Sequence, residues 1–390
     1  MPVKFLHTAD WQLGKPFAGV DDDQKRALLQ QERLAVIKRL AALAKAEAAE
    51  FVVVAGDLFD SPHATQSTVA AACSAIGSIG VPVFAIPGNH DFGGAGSLWE
   101  QEFFKRARDE LAKNFHVLLA AEPTELDTAV LFPCPLLRRH EAVDPTAWLR
   151  AIPDDDARFS GKPRIVIAHG SVVDFSPASD DDEPGGGMAN LIDLKRLSFA
   201  RFDYIALGDW HGAKQVAEKA WYSGTPELDR FVKGDEHDPG NVLVVEVARG
   251  ALPLVRSVRT GTIGWHAVDF SFVDDTGLAR LAELVDERIG TRAREDLLRL
   301  SLRGSLGIEA GSRLQQMIET WGARLLRLKL DDQTGIAPTA EELDELTRRA
   351  EDPVISRVAL QLVTLASGTG DDAAVARVAL RELHVAARHR

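Results

Sequence analysis

The sequence predicts an α/β layered fold, followed by a small β-α-β unit and a helical C-terminal region. Over the first 265 residues, short β-branched runs alternate with helix-length amphipathic segments, the pattern of strands joined by crossover helices around a buried sheet. After Ser271 the texture changes to one compact alternation of helix and strand, and then to helix-prone sequence with short breaks. The 390 residues also exceed the roughly 250–300 at which a single core stops growing. The expected division is 1–265, 270–335 and 338–390.

Taken in order, residues 3–6, 51–55, 81–86, 164–168 and 203–207 are short, apolar and bounded by Gly, Pro or polar residues, and they read as strands. Residues 24–49 carry Leu28, Leu29, Leu34, Ile37, Leu40 and Leu43 close to helical spacing. Residues 65–79 and 97–113 read as further helices, with Ser97 as an N-cap. Residues 178–187 join four acids to a glycine run, an acidic loop, and 233–241 read as a turn before a strand at 242–247. The stretch 221–258 favours strands and is expected to form a second sheet. Farther on, 274–289 and 311–322 read as helices, 297–303 and 323–330 as strands, and 339–350, 353–366 and 373–388 as helices.

Composition sets limits without naming a function. The chain is 45% hydrophobic and 26% charged, which excludes wholesale disorder. Its 58 acids against 45 Lys and Arg give a net charge of −13, which excludes a surface that is a nucleic-acid footprint throughout, though not a local one. No apolar run approaches the roughly 18–20 residues of a membrane span, so no membrane partner is expected. Residues 1–7 read as a strand rather than a signal peptide, and a cytoplasmic location is expected. Cys73 and Cys134 lack C-x-x-C spacing and read as small buried hydrophobes.

The informative feature is the short segment at the end of each strand. The first strand runs into His7-Thr8-Ala9-Asp10-Trp11-Gln12, the second into Gly56-Asp57-Leu58-Phe59-Asp60, and the third into Pro87-Gly88-Asn89-His90-Asp91. The strand at 164–168 runs into His169-Gly170, and that at 203–207 into Gly208-Asp209-Trp210-His211. Each delivers an acid, amide or imidazole at its carboxyl end, where open α/β sheets bind ligands. These are hard-to-borderline metal ligands. They suffice for a two-metal phosphoryl-transfer site, which needs a carboxylate bridging ions about 3.5–4 Å apart and further ligands on each. Any one of these segments alone is most often a turn; their joint occurrence in order carries the reading.

The series resembles the calcineurin-like metallophosphoesterase superfamily. The stretches H-T-A-D-W-Q-L-G, G-D-L-F-D and, at 222–227, Y-S-G-T-P-E are more specifically similar to SbcD-type DNA-repair exonucleases. The resemblance implies a layered fold of two sheets flanked by helices, with 270–335 as a capping domain. It implies Asp10 on a first metal, Asp57 bridging, Asn89 and His169 on a second, and His211 completing the first. His90 matches the family's catalytic histidine, oriented by Asp91 or another carboxylate, and Asp60 would support a ligand or His90.

Two positions depart from the family pattern: Gln12 and Asp209 each stand where it has a histidine. Asp10, Asp57 and Asp209 then supply three carboxylates where the pattern supplies two, favouring Mn²⁺, or Mg²⁺, over imidazole-loving ions. Gln12 either coordinates through its amide oxygen or holds a metal-bound water. The implied function is a two-metal DNA nuclease, an exonuclease and in some settings an endonuclease. Its implied partners are an SbcC-type coiled-coil ATPase docked on 338–390 and a second copy in a homodimer. A phosphodiesterase for small molecules or nucleotides and a degenerate scaffold of the same fold are the alternatives, the scaffold resting on Gln12 and Asp209. Trp11, Lys15 and Phe17 are candidate DNA contacts. Trp99, Phe103 and Phe104 read as core. Arg377, Arg381, His384 and Arg388 form a basic stripe on one helix, read as a solvated face.

Overall fold

The computed structural model describes residues 2–153, 156, 159, 161–173, 189–232, 238–336, 339–348 and 352–388. The acidic loop at 178–187 lies outside them, as do residues 233–237 of the expected turn. The chain divides into two compact units, Met1–Ile263 and Gly264–Arg390.

The first unit is built on two six-stranded sheets. One has the order β14 (Leu254–Arg259), β13 (Asn241–Val247), β1 (Val3–Thr8), β2 (Phe51–Ala55), β3 (Val83–Ile86), β4 (Phe115–Val117). The other runs β11 (Lys214–Ala217), β12 (Ala220–Tyr222), β10 (Tyr204–Gly208), β7 (Arg164–His169), β6 (Val130–Cys134), β5 (Thr124–Glu125), and the short β8 (Ser171–Val172) and β9 (Leu191–Ile192) pair with each other. Strands β1 to β4 are parallel, as are β6, β7, β10 and β12, and antiparallel pairs close the edges. The expected second sheet at 221–258 does not exist as a separate element. Its strands split, β12 joining one sheet and β13 and β14 the edge of the other.

Side-chain alternation, with its period of two, decides which layer each residue enters. Phe5, Phe51, Val53 and Ala55 point between the sheets, where they meet Leu131, Ile165, Ile167 and Tyr204 in one buried cluster. Leu6, Val52 and Val54 face the other way, against Ile37 and Leu40 of α1 (Asp23–Ala46) and Val69, Cys73 and Ile76 of α2 (Gln66–Gly77). Val166 and Ala168 face a third cluster with Phe132, Phe159 and Phe202. Both cysteines are buried and unbridged.

Residues 97–113 are not one helix. A 3₁₀ turn at Leu98–Glu100 precedes an extended Gln101, and α3 spans Glu102–Leu111. Ser97 makes no side-chain capping bond. The break follows from Trp99, whose indole N–H donates to the Asp91 carbonyl and whose ring packs on Phe59 and Phe104. Trp99 and Phe104 are core, with Phe103 packed against them.

The second unit is a parallel three-stranded sheet, β15 (Gly264–Phe272), β16 (Asp296–Leu306) and β17 (Arg327–Asp332), with β18 (Gly335–Ile336) beside β16. Helices α4 (Gly277–Ile289) and α5 (Ile308–Arg324) make the crossovers. Strand β15 is an addition to the expected unit, which is therefore β-α-β-α-β. Three more helices follow: α6 (Ala340–Thr347), α7 (Pro353–Ala366) and α8 (Asp371–Arg388). They are not a separate tail. Leu346, Ala359 and Leu380 bury with Ile308 in one cluster. Glu342 closes a capping box with Thr339 and also accepts from the Ile308 and Glu309 amides, placing a carboxylate on the N-terminus of α5. The basic stripe does not form as expected: His384 is buried and Arg377 donates to the Gly368 carbonyl, while the side chains of Arg381 and Arg388 lie outside the described residues. No helix among the described residues is long and apolar enough to cross a membrane.

Candidate metal centre

The parallel strands of the first unit bring their carboxyl ends together. Gly208 pairs with His169 across β10 and β7, and Thr8 with Val54 across β1 and β2, so the loops beyond them emerge side by side. These loops then cross-link. Asp10 N–H donates to Gly56 O (3.1 Å), Gln12 N–H to Asp57 O (2.9 Å), Leu13 N–H to Leu58 O (2.9 Å) and Asp60 N–H to Leu13 O (3.1 Å). The lacing holds Asp10 (φ 54°), Gln12 (φ 42°) and Asp57 (φ 53°) in left-handed backbone conformations, and Asp209 has φ 106°. Non-glycine residues seldom adopt these angles, and their clustering marks a site where the surroundings over-determine the backbone.

Donor-bearing side chains converge on one imidazole. His169 Nδ1–H donates to the Ala55 carbonyl (2.8 Å), which turns Nε2 inward. There it lies 2.8 Å from Asn89 Oδ1, 3.5 Å from Asp57 Oδ2 and 3.8 Å from Asp209 Oδ1. Ligand atoms of Asp10, Asp57 and His169 all fall within 4.8 Å of one another. The peptide N–H of Asp209 reaches both Asp10 carboxylate oxygens (3.3 Å each), and Ser171 Oγ donates to Asp209 Oδ2 (2.7 Å). Space is tight around this cluster. A Cβ on Gly56 would come within 2.2 Å of His169 Nδ1, and one on Gly88 within 2.1 Å of Asp57 Oδ1.

The charges of the cluster act strongly on one another. Burial pushes Asp10 well above the usual carboxylate range, and Asp57 and Asp209 push in the same direction. Burial would lower His169, but Asp57, Asp10 and Asp209 together hold it up at about 9. Several carboxylates share a dry space, and a proton at His169 Nε2 offsets part of their charge from a place between Nε2 and Asn89 Oδ1. Asp, Asn and His side chains are N/O donors of the kind a divalent cation takes, and such an ion would offset the same charge.

His90 sits beside the cluster. Its backbone N–H donates to Asp57 Oδ1 (2.9 Å), its Nδ1–H donates to the Asp60 carbonyl (2.9 Å), and Nε2 lies 4.0 Å from Asp57 Oδ2. The imidazole is thus oriented by a backbone carbonyl and not by Asp91. The Asp91 carboxylate instead accepts from the Gly88 amide (2.7 Å) and the Phe59 amide (3.0 Å), tying together the two loops that carry Asn89 and Asp57. Burial, then Asp57, raises Asp91 to about 7. The Asp60 side chain faces Lys15, 3.6 Å from Nζ.

The three expected DNA contacts are placed elsewhere. Trp11 is fully buried, its indole N–H donating to Thr8 Oγ1 (2.9 Å), and Phe17 is buried as well. Lys15 Nζ is engaged by Gln12 Oε1 (2.7 Å) and Asp229 Oδ2 (2.8 Å). The bulky rings next to a ligand pack the loop rather than face solvent.

Two supports escaped the sequence reading. Asp229 accepts from His211 Nδ1–H (2.9 Å) and so aims Nε2 of that ring. Burial would raise Asp229, but His211, Lys15 and Arg33 pull it well below the usual range. It lies two residues past Glu227, just beyond the Y-S-G-T-P-E stretch, which was its available signal. Arg33 is buried in α1 and donates to the carbonyls of Asp10 (3.0 Å), Trp11 (2.7 Å) and Glu227 (2.9 Å) and to Thr225 Oγ1 (3.2 Å). Its signal was a charge one turn from each of Leu29 and Ile37 on the buried face of that helix. Replacing Arg33 with leucine is expected to cost about 3–5 kcal/mol in a denaturant titration, because several buried acceptors lose their donor at once.

Two solved structures share a limited likeness. One is 14% identical with a TM-score of 0.40; the other, TT1561 of Thermus thermophilus, is 11% identical with a TM-score of 0.38. Each likeness covers 67% of this chain and 100% of the other. The calcineurin-like phosphoesterase family matches residues 3–238, more than half of the chain and every strand end described above. The chain belongs to that family, hydrolases of phosphoester bonds that use divalent metals.

Proposed function

We propose that this chain is a metal-dependent nuclease that hydrolyses phosphodiester bonds in DNA, with Mn²⁺ as its working ion. The observation that carries the metal-dependent chemistry is the convergence of Asp10, Asp57 and His169, with Asn89 and Asp209 against the same Nε2. DNA as the substrate is supported by the likeness of H-T-A-D-W-Q-L-G, G-D-L-F-D and Y-S-G-T-P-E to SbcD-type exonucleases. In this proposal Asp10, Gln12, Asp57 and His211 face a first ion, and Asp57, Asn89, His169 and Asp209 a second. When bound, the ions would supply Lewis acidity toward the phosphate and the attacking water. The protein's own part is orientation. Asp229 fixes the tautomer of His211, Ala55 that of His169, and the Asp60 carbonyl orients His90, whose Nε2 would hold the proton given to the leaving oxygen.

An SbcC-type ATPase and a homodimer are proposed partners. Exposed Val354 and Val358, one turn apart on α7, and Val375 and Val378 on α8 support docking there. The experiment is a labelled DNA duplex and bis-p-nitrophenyl phosphate, each incubated with the pure chain in Mn²⁺ or EDTA. Mn²⁺-dependent cleavage of both is expected. Hydrolysis of the small ester with DNA left intact, alone and with the ATPase, would replace the nuclease by a small-molecule phosphodiesterase.

A further inference from the structure

Around the first subsite, four side chains close a ring of hydrogen bonds. Lys15 Nζ donates to Gln12 Oε1 at 2.7 Å and to Asp229 Oδ2 at 2.8 Å. An ammonium has only donors, so the Gln12 atom that faces it is the oxygen. The amide nitrogen of Gln12, with its two hydrogens, is then left 3.4 Å from His211 Nε2. His211 Nδ1 lies 2.9 Å from Asp229 Oδ1, so Nδ1 carries the hydrogen and Nε2 offers a lone pair to Gln12. Every role in the ring is fixed by Lys15.

Both donor atoms that this subsite would take from Gln12 and His211 are therefore spent inside the protein. An ion can reach His211 Nε2 only if Gln12 withdraws its N–H, and Gln12 can offer its oxygen only by giving up Lys15. The ammonium also adds a fixed positive charge beside the subsite, close to Asp60 as well as Asp229. The second subsite is engaged less. Asn89 Oδ1 and His169 Nε2 also meet each other, at 2.8 Å, but that is a single contact between two would-be ligands, and among the described residues no lysine or arginine pairs with Asp57 or Asn89.

We propose that Lys15 is a positioning residue that splits the two subsites in affinity. The Asp57–Asn89–His169 subsite fills first, and the Asp10–His211 subsite fills only at higher metal concentration, as the ring opens. This rests on the metal-binding part of the function proposed above, and the two fail differently.

The test is binding of Mn²⁺ alone to the full chain, by equilibrium dialysis and by electron paramagnetic resonance. The wild type should take one ion with a mononuclear signal, then a second at least about tenfold more weakly, with the coupled signal of an ion pair. Lys15→Met should narrow that gap by about tenfold or more, and Lys15→Arg, which keeps charge and donors, should preserve it. If Lys15→Met does not fold by circular dichroism, Lys15→Gln carries the same expectation, since it keeps a donor for Asp229 without the charge. Two ions bound with equal affinity by the wild type, or a gap unmoved in the neutral variants, would overturn the proposal for Lys15. Absence of any Mn²⁺ binding by the wild type overturns the metal reading of the whole site.

Discussion

Replacing His90 with alanine is expected to lower kcat for phosphodiester hydrolysis by about 10²–10⁴-fold, with Mn²⁺ binding unchanged. The two effects separate because His90 serves the site twice. Its backbone N–H holds Asp57 Oδ1 at 2.9 Å, and alanine keeps that bond. Its imidazole, oriented through the Asp60 carbonyl, is the part lost. A KM close to wild type alongside the fall in kcat would mark loss of proton transfer rather than loss of the ions. Equal cleavage by both proteins would remove His90 from the chemistry. Asp57→Asn is the contrasting variant, expected to lose Mn²⁺ binding and hydrolysis together, because the function proposed above assigns Asp57 to both ions.

The second large effect is on stability, and it runs with pH. In EDTA, the melting temperature is expected to fall between about pH 5 and pH 9. Asp10, pushed well above the usual range by burial, and Asp91, raised to about 7 by burial and Asp57, both hold protons in the folded state that the unfolded chain has released. The folded state binds more protons in that window, so stability drops as pH rises through it. His169 adds to the trend with the same sign. Its folded value is raised to about 9, chiefly by Asp57 and Asp10 against the opposing effect of burial, so its contribution is complete below about 6.5 and lost as pH approaches 9. Mn²⁺ should flatten the slope, since it takes the place of the Asp10 and His169 protons, though not of the Asp91 proton, and binds better once they have left. Differential scanning fluorimetry across pH, with and without Mn²⁺, checks this; a metal effect that is constant with pH would show that the ion does not bind among these carboxylates. The same reasoning makes Asp10→Asn more stable than wild type in EDTA at pH 8 and less responsive to Mn²⁺.

The layered α/β architecture and the polar residues at the strand ends were legible because they rest on local rules. Runs such as Phe51–Ala55 are too short and too uniformly apolar for anything but a buried strand, and a polar residue straight after one is at the sheet's carboxyl edge. Trp11 and Phe17 show where local rules stop. An aromatic ring near a ligand reads the same whether it packs inward or faces a substrate, and only the surrounding chain decides. The helix at 97–113 broke for a related reason: Trp99 satisfies its indole on Asp91 and Phe59 offers it a ring, neither of which helical periodicity registers.

What the sequence determined by itself was the set of donors and their order: Asp10, Asp57, Asn89, His90, His169, Asp209 and His211, each delivered by the end of an apolar run. What only the tertiary structure decided was their company. Lys15 meets Asp229 across 214 residues, Gln12 meets His211 across 199, and Arg33 meets Glu227 across 194. Such pairings arise when two separately laid sheets bring their parallel strand ends together, and no spacing along the chain encodes them. They set the tautomers and which donor atoms are already engaged. For this protein that is the difference between a list of donors and a geometry in which the partner of each donor is known.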